Sequence, residues 1–408
     1  MTMTLLPDAR WRHRPGFDAL CAMLGAQEGA VRLVGGAVRD GLLGLDVADI
    51  DLATRWLPDV VTQRLTDAGI KVVPTGITHG TVTAVIDHRP VEITTLRSDI
   101  STDGRRATIA YTDDWREDAA RRDFTINALY ADPATNTIYD YFGGLDDLAN
   151  RRVRFIGDPS QRIAEDHLRI LRYFRFLARF GALPPDEAAY AACRVNANSL
   201  MALSRERIAD ELLKLLALPD PSAVLRLMIE GEIFMPVLPE IGNGGLARLE
   251  ALLARARVAR SAAAPSAILR LAALLPKDPG IGEQVAARLK LSNKARKRIV
   301  TALTPPPPHR SARELVYRLG KEAAIDQMLL GAAQMPDDIA ALETWTMPDF
   351  PLSGRDIIAL GVSAGPDVAR LLGMVKEHWI EQGFSGREDI QAIAQSQVTD
   401  FLRDRQNS

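Results

Sequence analysis

The chain is poor in cysteine. Cys21 and Cys193 are the two in 408 residues, which excludes a disulfide framework and a cysteine zinc site. Long apolar runs are also missing: no window approaches the roughly 18 uninterrupted apolar residues that span a bilayer. The opening segment MTMTLLPDARWRHRPGF contains no apolar stretch of the signal-peptide kind. There is little charge imbalance either, with a formal net charge of −2. A nucleic-acid partner therefore cannot be read from the total, only from local patches. These absences describe a cytoplasmic protein with no membrane association. What is present is ordinary globular composition, 47% apolar and 25% charged, over a length that exceeds one hydrophobic core.

The texture changes along the chain. VRLVGG (31–36), IDLAT (50–54), VTAVID (82–87) and VEITTL (91–96) read as strands, the last two joined by a tight HRP turn. AVRDGLLGL follows the glycines with helical spacing. From about residue 151 helical periodicity takes over, beginning with SQRIAEDHLRILRYFRFLARFG as one helix that ends at Gly181. The Pro run TPPPPH (304–309) reads as a stiff linker. The expected fold class is α+β: a small head with a mixed sheet, then an elongated all-α neck, body and tail. The expected boundaries are 1–150 for the head, 151–220 for the neck, 221–303 for the body and 304–408 for the tail.

The densest chemical signal is GGAVRDGLLGLDVADIDLAT, residues 35–54. Asp49 and Asp51 alternate on a strand, so both carboxylates face one way. Adjacent carboxylates repel unless a cation lies between them, and oxygen ligands suit Mg²⁺, which takes one or two carboxylates plus substrate phosphates. Glu92, on a neighbouring strand, is the candidate third acid. Upstream, Gly35 and Gly36 close a strand and open a helix, where backbone amides approach an anion, and Arg39 lies on the first turn. A lone Asp-x-Asp or Gly-Gly is commonplace. Their combination is not.

These residues resemble the head-domain signature of the polymerase-β-like nucleotidyltransferases, specifically class II CCA-adding enzymes and bacterial poly(A) polymerases. EDAARRDFTINALY (117–130) is similar to the same family's RRDFT-x-NA motif. The resemblance implies that Asp49 and Asp51 hold the metal and that Glu92 assists the attacking hydroxyl. It also implies that Arg121 and Arg122 are cations near the triphosphate, with Asn127 fixing the sugar or a loop and Asp123 beside the nucleotide, although a simple salt bridge to an arginine accounts for Asp123 equally well. EDHLRILRYFRF looks like the E-D-x-x-R neck motif. By that match Asp166 and Arg169 read the base, with Arg172 and Arg175 near the nucleotide. The chemistry is apt: a carboxylate only accepts and a guanidinium only donates. Such a pair complements the amino-plus-ring-nitrogen edge shared by cytosine and adenine and opposes uracil and guanine. Arg207, Glu211 and Lys214 in SRERIADELLKLL would brace the neck.

The polar segment 97–118 has no clear period and reads as an irregular, mobile loop. In the family, that position is linked to switching from C to A. KLSNKARKRIV (290–300) could contact tRNA phosphates, or be a solvated helix face. His79 reads as a structural residue beside the sheet. The implied activity is template-independent addition of CCA to the 3′ end of tRNA from CTP and ATP with Mg²⁺, by two metals and with release of pyrophosphate. A poly(A) polymerase, a CC-only or A-only enzyme and a non-catalytic RNA-binding protein are the alternatives.

Overall fold

The computed structural model describes all residues except 1–3, 48, 77–79, 104–105, 260–264, 309–310, 332–338, 340, 343 and 407–408. His79 and its neighbours thus lie outside the described residues. The chain divides into two compact units, Met1–Pro239 and Glu240–Ser408. The division does not fall at the proline run. Gln327 donates to the carbonyls of Thr301 and Thr304 at 2.9 Å each and ties that run to its own unit.

Unit 1 is built on a seven-stranded sheet in the order β3-β4-β5-β2-β1-β8-β9. The strands are β1 Val31–Val34, β2 Ile50–Thr54, β3 Lys71–Gly76, β4 Thr81–Ile86, β5 Arg89–Thr95, β8 Leu129–Ala131 and β9 Ile138–Asp140. The sheet is mixed: β2 and β5 run parallel, and β1 runs antiparallel to both β2 and β8. A parallel pair needs a long crossover, supplied here by α3 (Pro58–Asp67), β3 and β4. All four β1 residues are buried, as expected of a central strand covered on both faces. The β4–β5 turn consists of Asp87 and His88, both left-handed, so β5 already begins at Arg89.

The segment 97–118 is not irregular. It forms a separate two-stranded hairpin, β6 Arg97–Asp103 with β7 Arg106–Tyr111, followed by α4 Trp115–Ala120. Polar strand residues gave no apolar alternation to reveal it.

The reading of 160–181 as a single helix is also corrected. There are two, α6 Pro159–Glu165 and α7 Arg169–Phe180, with Asp166 extended between them (φ −152°, ψ 107°). The Asp166 carboxylate accepts from its own chain at Leu168 N, 3.1 Å away, an Asx turn that competes with helix continuation. Helix α7 buries Ile170, Leu171, Tyr173, Phe174, Phe176, Leu177 and Phe180. Phe124 and Phe155 join this face, with Phe124 at 5.0 Å from both Phe155 and Phe176. The aromatic cluster fastens the helical segment to the strands. The α8 Glu187–Val195, α9 Arg205–Leu216 and α10 Ser222–Glu230 helices complete unit 1.

Every helix and strand assigned in unit 2 is an α-helix: α11 Asn243–Val258, α12 Ala267–Leu274, α13 Pro279–Arg288, α14 Asn293–Leu303, α15 Ala312–Leu319 and α16 Lys321–Leu329, then helices Gly354–Ala359, Pro366–Glu381 and Arg387–Gln406. The last three close around Trp379, Val375, Ile390 and Val398. The α11–α12 packing is so close that a Cβ on Gly245 would stand 2.0 Å from the Leu274 carbonyl oxygen. No described helix is long and apolar enough to cross a membrane.

Candidate nucleotidyltransferase site

The parallel register places Asp51 directly opposite Glu92. Asp51 is half-buried, while Glu92 and Asp49 are exposed. Asp49 lies just before the strand. Burial, then the charges of Glu92 and Asp49, push the Asp51 carboxyl up to about 6, with Arg122 pulling the other way. A carboxylate cluster under such strain favours a cation. Among the described residues, no group of three or more His, Cys, Asp or Glu is arranged to hold a metal ion. The two-aspartate set still fits Mg²⁺, because that ion completes its shell with substrate phosphates and water.

The glycine turn lies alongside. Gly35 adopts φ +67°, ψ −122°, a conformation closed to side-chain-bearing residues, and donates its amide to Leu129 O at 3.1 Å. A Cβ there would stand 3.5 Å from Arg122 Nη1. Gly36 opens α2 (Gly36–Leu42).

Arg122 is held from below. Its Nε donates to the Tyr130 hydroxyl at 3.1 Å and its Nη2 to Asp118 at 3.2 Å, and Tyr130 donates to the same Asp118 oxygen at 2.5 Å. Arg121 donates to the other oxygen at 2.9 Å. Burial alone would raise the Asp118 carboxyl, but Arg122, Arg121 and Tyr130 together hold it down at about 2. Asp118 and Tyr130 are thus the residues that fix the two arginines. The sequence reading missed both. The i,i+4 spacing of Asp118 and Arg122 was a signal for one; nothing pointed to Tyr130.

A second buried network joins α2 to α7. Arg39 donates to Asn127 at 2.5 Å and to Asp40 at 2.8 Å, and its guanidinium lies 4.1 Å from the Phe180 ring centroid. Asn127 donates to Asp123 at 2.9 Å. Asp123 accepts from Arg172 at 2.9 and 2.5 Å. Arg175 donates to buried Glu211 at 2.6 Å. Burial would raise the Asp123 carboxyl, yet Arg172, Asn127 and the Phe124 amide bring it down to about 2. The guanidiniums of Arg39, Arg172 and Arg175 are therefore taken up by protein partners that clamp the sheet, α7 and α9 together.

Asp166 and Arg169 are not paired with each other. Arg207 of α9 donates to Asp166 at 2.7 Å. Arg169 donates to Glu165 at 2.5 Å and to the Arg162 and Arg121 carbonyls at 2.8 and 3.2 Å. Both side chains are fixed at the α6–α7 break, and each Asp166 oxygen keeps a second lone pair beside the bond it already accepts. Lys214 bonds to Asp210 at 2.6 Å on the exposed face of α9.

This geometry is that of a nucleotidyltransferase head carrying a helical neck. Residues 31–154 match the poly(A) polymerase head domain, and residues 183–243 match the probable RNA and SrmB-binding site of polymerase A. The mitochondrial CCA tRNA nucleotidyltransferase 1 of Mus musculus is 34% identical over 94% of this chain and 90% of its own. The CCA-adding enzyme of Enterococcus faecalis is 30% identical over 90% of this chain and 92% of its own. The Bacillus stearothermophilus CCA-adding enzyme in complex with CTP superposes with a TM-score of 0.73 at 28% identity, over 97% of this chain and 99% of that one. The chain belongs to the CCA-adding tRNA nucleotidyltransferase family, enzymes that transfer nucleotides to RNA.

Proposed function

We propose that this protein adds CMP and AMP stepwise to the 3′ end of tRNA, completing CCA from CTP and ATP and releasing pyrophosphate. The observation that carries the reading is Asp51 set opposite Glu92 on parallel strands, beside Arg122 braced under the Gly35 turn. Asp49 and Asp51 hold Mg²⁺, which when bound as a pair supplies activation of the attacking hydroxyl and charge neutralisation at the leaving phosphates. Glu92 orients the tRNA 3′-hydroxyl. The Gly35–Gly36 amides, Arg121 and Arg122 receive the triphosphate. Asp166 accepts from the exocyclic amino group of cytosine or adenine, and Arg169 donates to the adjacent ring nitrogen. Arg39, Asp123, Asn127, Arg172 and Arg175 keep the sheet and α7 in register, so that base and phosphate sites stay at a fixed separation.

In this reading residues 1–150 are the catalytic head, 151–220 the base-selecting neck, 221–303 the body and 304–408 the tail. Lys294 and Lys297 of α14 contact tRNA phosphates. The enzyme works in the cytoplasm.

The test is extension of a tRNA ending before CCA, with Mg²⁺ and each labelled nucleotide singly, then with CTP plus ATP. Addition of two C and one A, then arrest, supports the reading. A long A tail means a poly(A) polymerase, arrest after CC a partial enzyme, and no extension a binding protein. Asp49→Ala should abolish turnover with the circular dichroism spectrum unchanged; retained turnover would remove Asp49 from the metal.

A further inference from the structure

Two of the three guanidinium nitrogens of Arg122 are taken up inside unit 1. Nε donates to the Tyr130 hydroxyl and Nη2 to Asp118 Oδ2. The third, Nη1, makes no bond among the described residues and is not sealed from solvent. It is also the atom that faces the glycine turn, 3.5 Å from where a Cβ on Gly35 would stand. The side chain as a whole is only 19% exposed. What Arg122 offers a ligand is therefore one nitrogen with a set direction.

That direction depends on a phenol. Tyr130 is fully buried. Its one proton goes to Asp118 Oδ2 at 2.5 Å, because a carboxylate only accepts, and its lone pair is left to receive Arg122 Nε. Burial raises the phenol above its usual range, which keeps the proton in place. The ring is held as well. It stands edge-on to Trp115 and Tyr141, with centroids 5.7 and 6.0 Å away. Buried Arg32 ties those rings together: its guanidinium lies 4.2 Å from the Trp115 centroid and 3.5 Å from that of Tyr139, and it donates to the Tyr141 hydroxyl at 2.7 Å. A phenylalanine at 130 would keep the ring contacts and lose the hydroxyl alone. Arg122 Nε would then lose its acceptor, and the guanidinium would be free to turn about its bond to Asp118.

We propose that the Tyr130 hydroxyl is a positioning group for nucleotidyl transfer, aiming Arg122 Nη1 past the glycine turn at the incoming triphosphate. The inference rests on the reading of Arg122 as a triphosphate ligand. A charge-assisted bond depends on direction as well as charge, so losing the aim weakens nucleotide binding and leaves base choice alone.

The experiment is steady-state extension by the full chain with Mg²⁺, varying CTP on a tRNA ending before CCA and ATP on a tRNA ending in CC. Wild type, Tyr130→Phe, Arg122→Gln and the double variant are compared. Tyr130→Phe should raise KM for CTP and for ATP by the same factor, about tenfold. Its kcat, its KM for tRNA and its preference for CTP over UTP should stay within about twofold of wild type. Arg122→Gln should raise the nucleotide KM at least as much, and Tyr130→Phe should add nothing to it. A purely structural role for Tyr130 would shrink the active fraction, so a fall in kcat at constant KM overturns the proposal. If Arg122→Gln weakens the nucleotide and Tyr130→Phe does not, or if the two effects add, the proposal falls and the reading of Arg122 stands. If Arg122→Gln leaves KM unchanged, that reading falls and the proposal with it.

Discussion

Asp123→Asn is the substitution from which most can be learned about the clamp between the sheet and α7. Asp123 is buried and accepts four hydrogen bonds: two from Arg172, one from Asn127 and one from the Phe124 amide at 2.8 Å. The asparagine keeps the shape and an acceptor oxygen but removes the charge facing Arg172. Breaking a buried ion pair costs about 3–5 kcal/mol. Arg172 is about a third exposed and has Glu211 at 3.8 Å as a second partner, so a loss of about 2–3 kcal/mol is expected. For a unit of this size, each kcal/mol lowers the midpoint by roughly 2–4 °C. The thermal midpoint of unit 1 should therefore fall by about 4–12 °C. A double-mutant cycle with Arg172→Gln should show coupling of at least about 1 kcal/mol. The pH dependence gives a further check. The folded carboxyl sits at about 2, below its usual value. Its stabilisation is then full above about pH 4 and is lost as pH falls towards 2, so wild type and variant should converge in that window. A midpoint shift under about 2 °C, or an additive cycle, would refute the account of the clamp.

Three other outcomes follow from the same structure. Tyr173 is fully buried and its hydroxyl has no partner among the described residues, so Tyr173→Phe should raise stability by about 1–2 kcal/mol; a loss in denaturant unfolding would show an unseen partner. Gly245→Ala drives a methyl into the Leu274 carbonyl and should destabilise unit 2 by at least about 2 kcal/mol, read as an earlier midpoint for that unit with unit 1 unchanged. Arg207→Gln releases Asp166, and competition between CTP and UTP should lose roughly tenfold in selectivity. The pair is partly exposed, so stability should hardly move; unchanged selectivity would detach Arg207 from base choice.

The head was legible in the sequence where one signal sufficed. The IDLAT strand with Asp51 on it and Asp49 just before it, the glycine turn ahead, and the strands 82–86 and 91–95 all rest on local periodicity and turn chemistry. What escaped depends on partners distant in sequence. The break at Asp166 comes from an Asx turn and an ion pair with Arg207, forty-one residues on, against a background of uninterrupted helical spacing. The hairpin at 97–111 has too little apolar alternation to announce itself. Arg39 reads as a phosphate ligand because it follows the glycine turn, and Arg172 as a neighbour of the nucleotide because its segment looks like the neck motif. In the structure their side chains bond to Asn127 and Asp123, which are themselves candidate neighbours of the nucleotide. A salt bridge from Asp123 to an arginine was legible in the sequence; which arginine, forty-nine residues on, was not.

The parallel ladder between β2 and β5 has a consequence for how the enzyme comes into being. Asp51 and Glu92 meet only after α3 and the β3–β4 strands have been made and folded back, so the carboxylate pair depends on a long-range contact that closes late and slowly. The helices of unit 1 are local and form early. During refolding, helical signal should therefore return well before nucleotidyl transfer does.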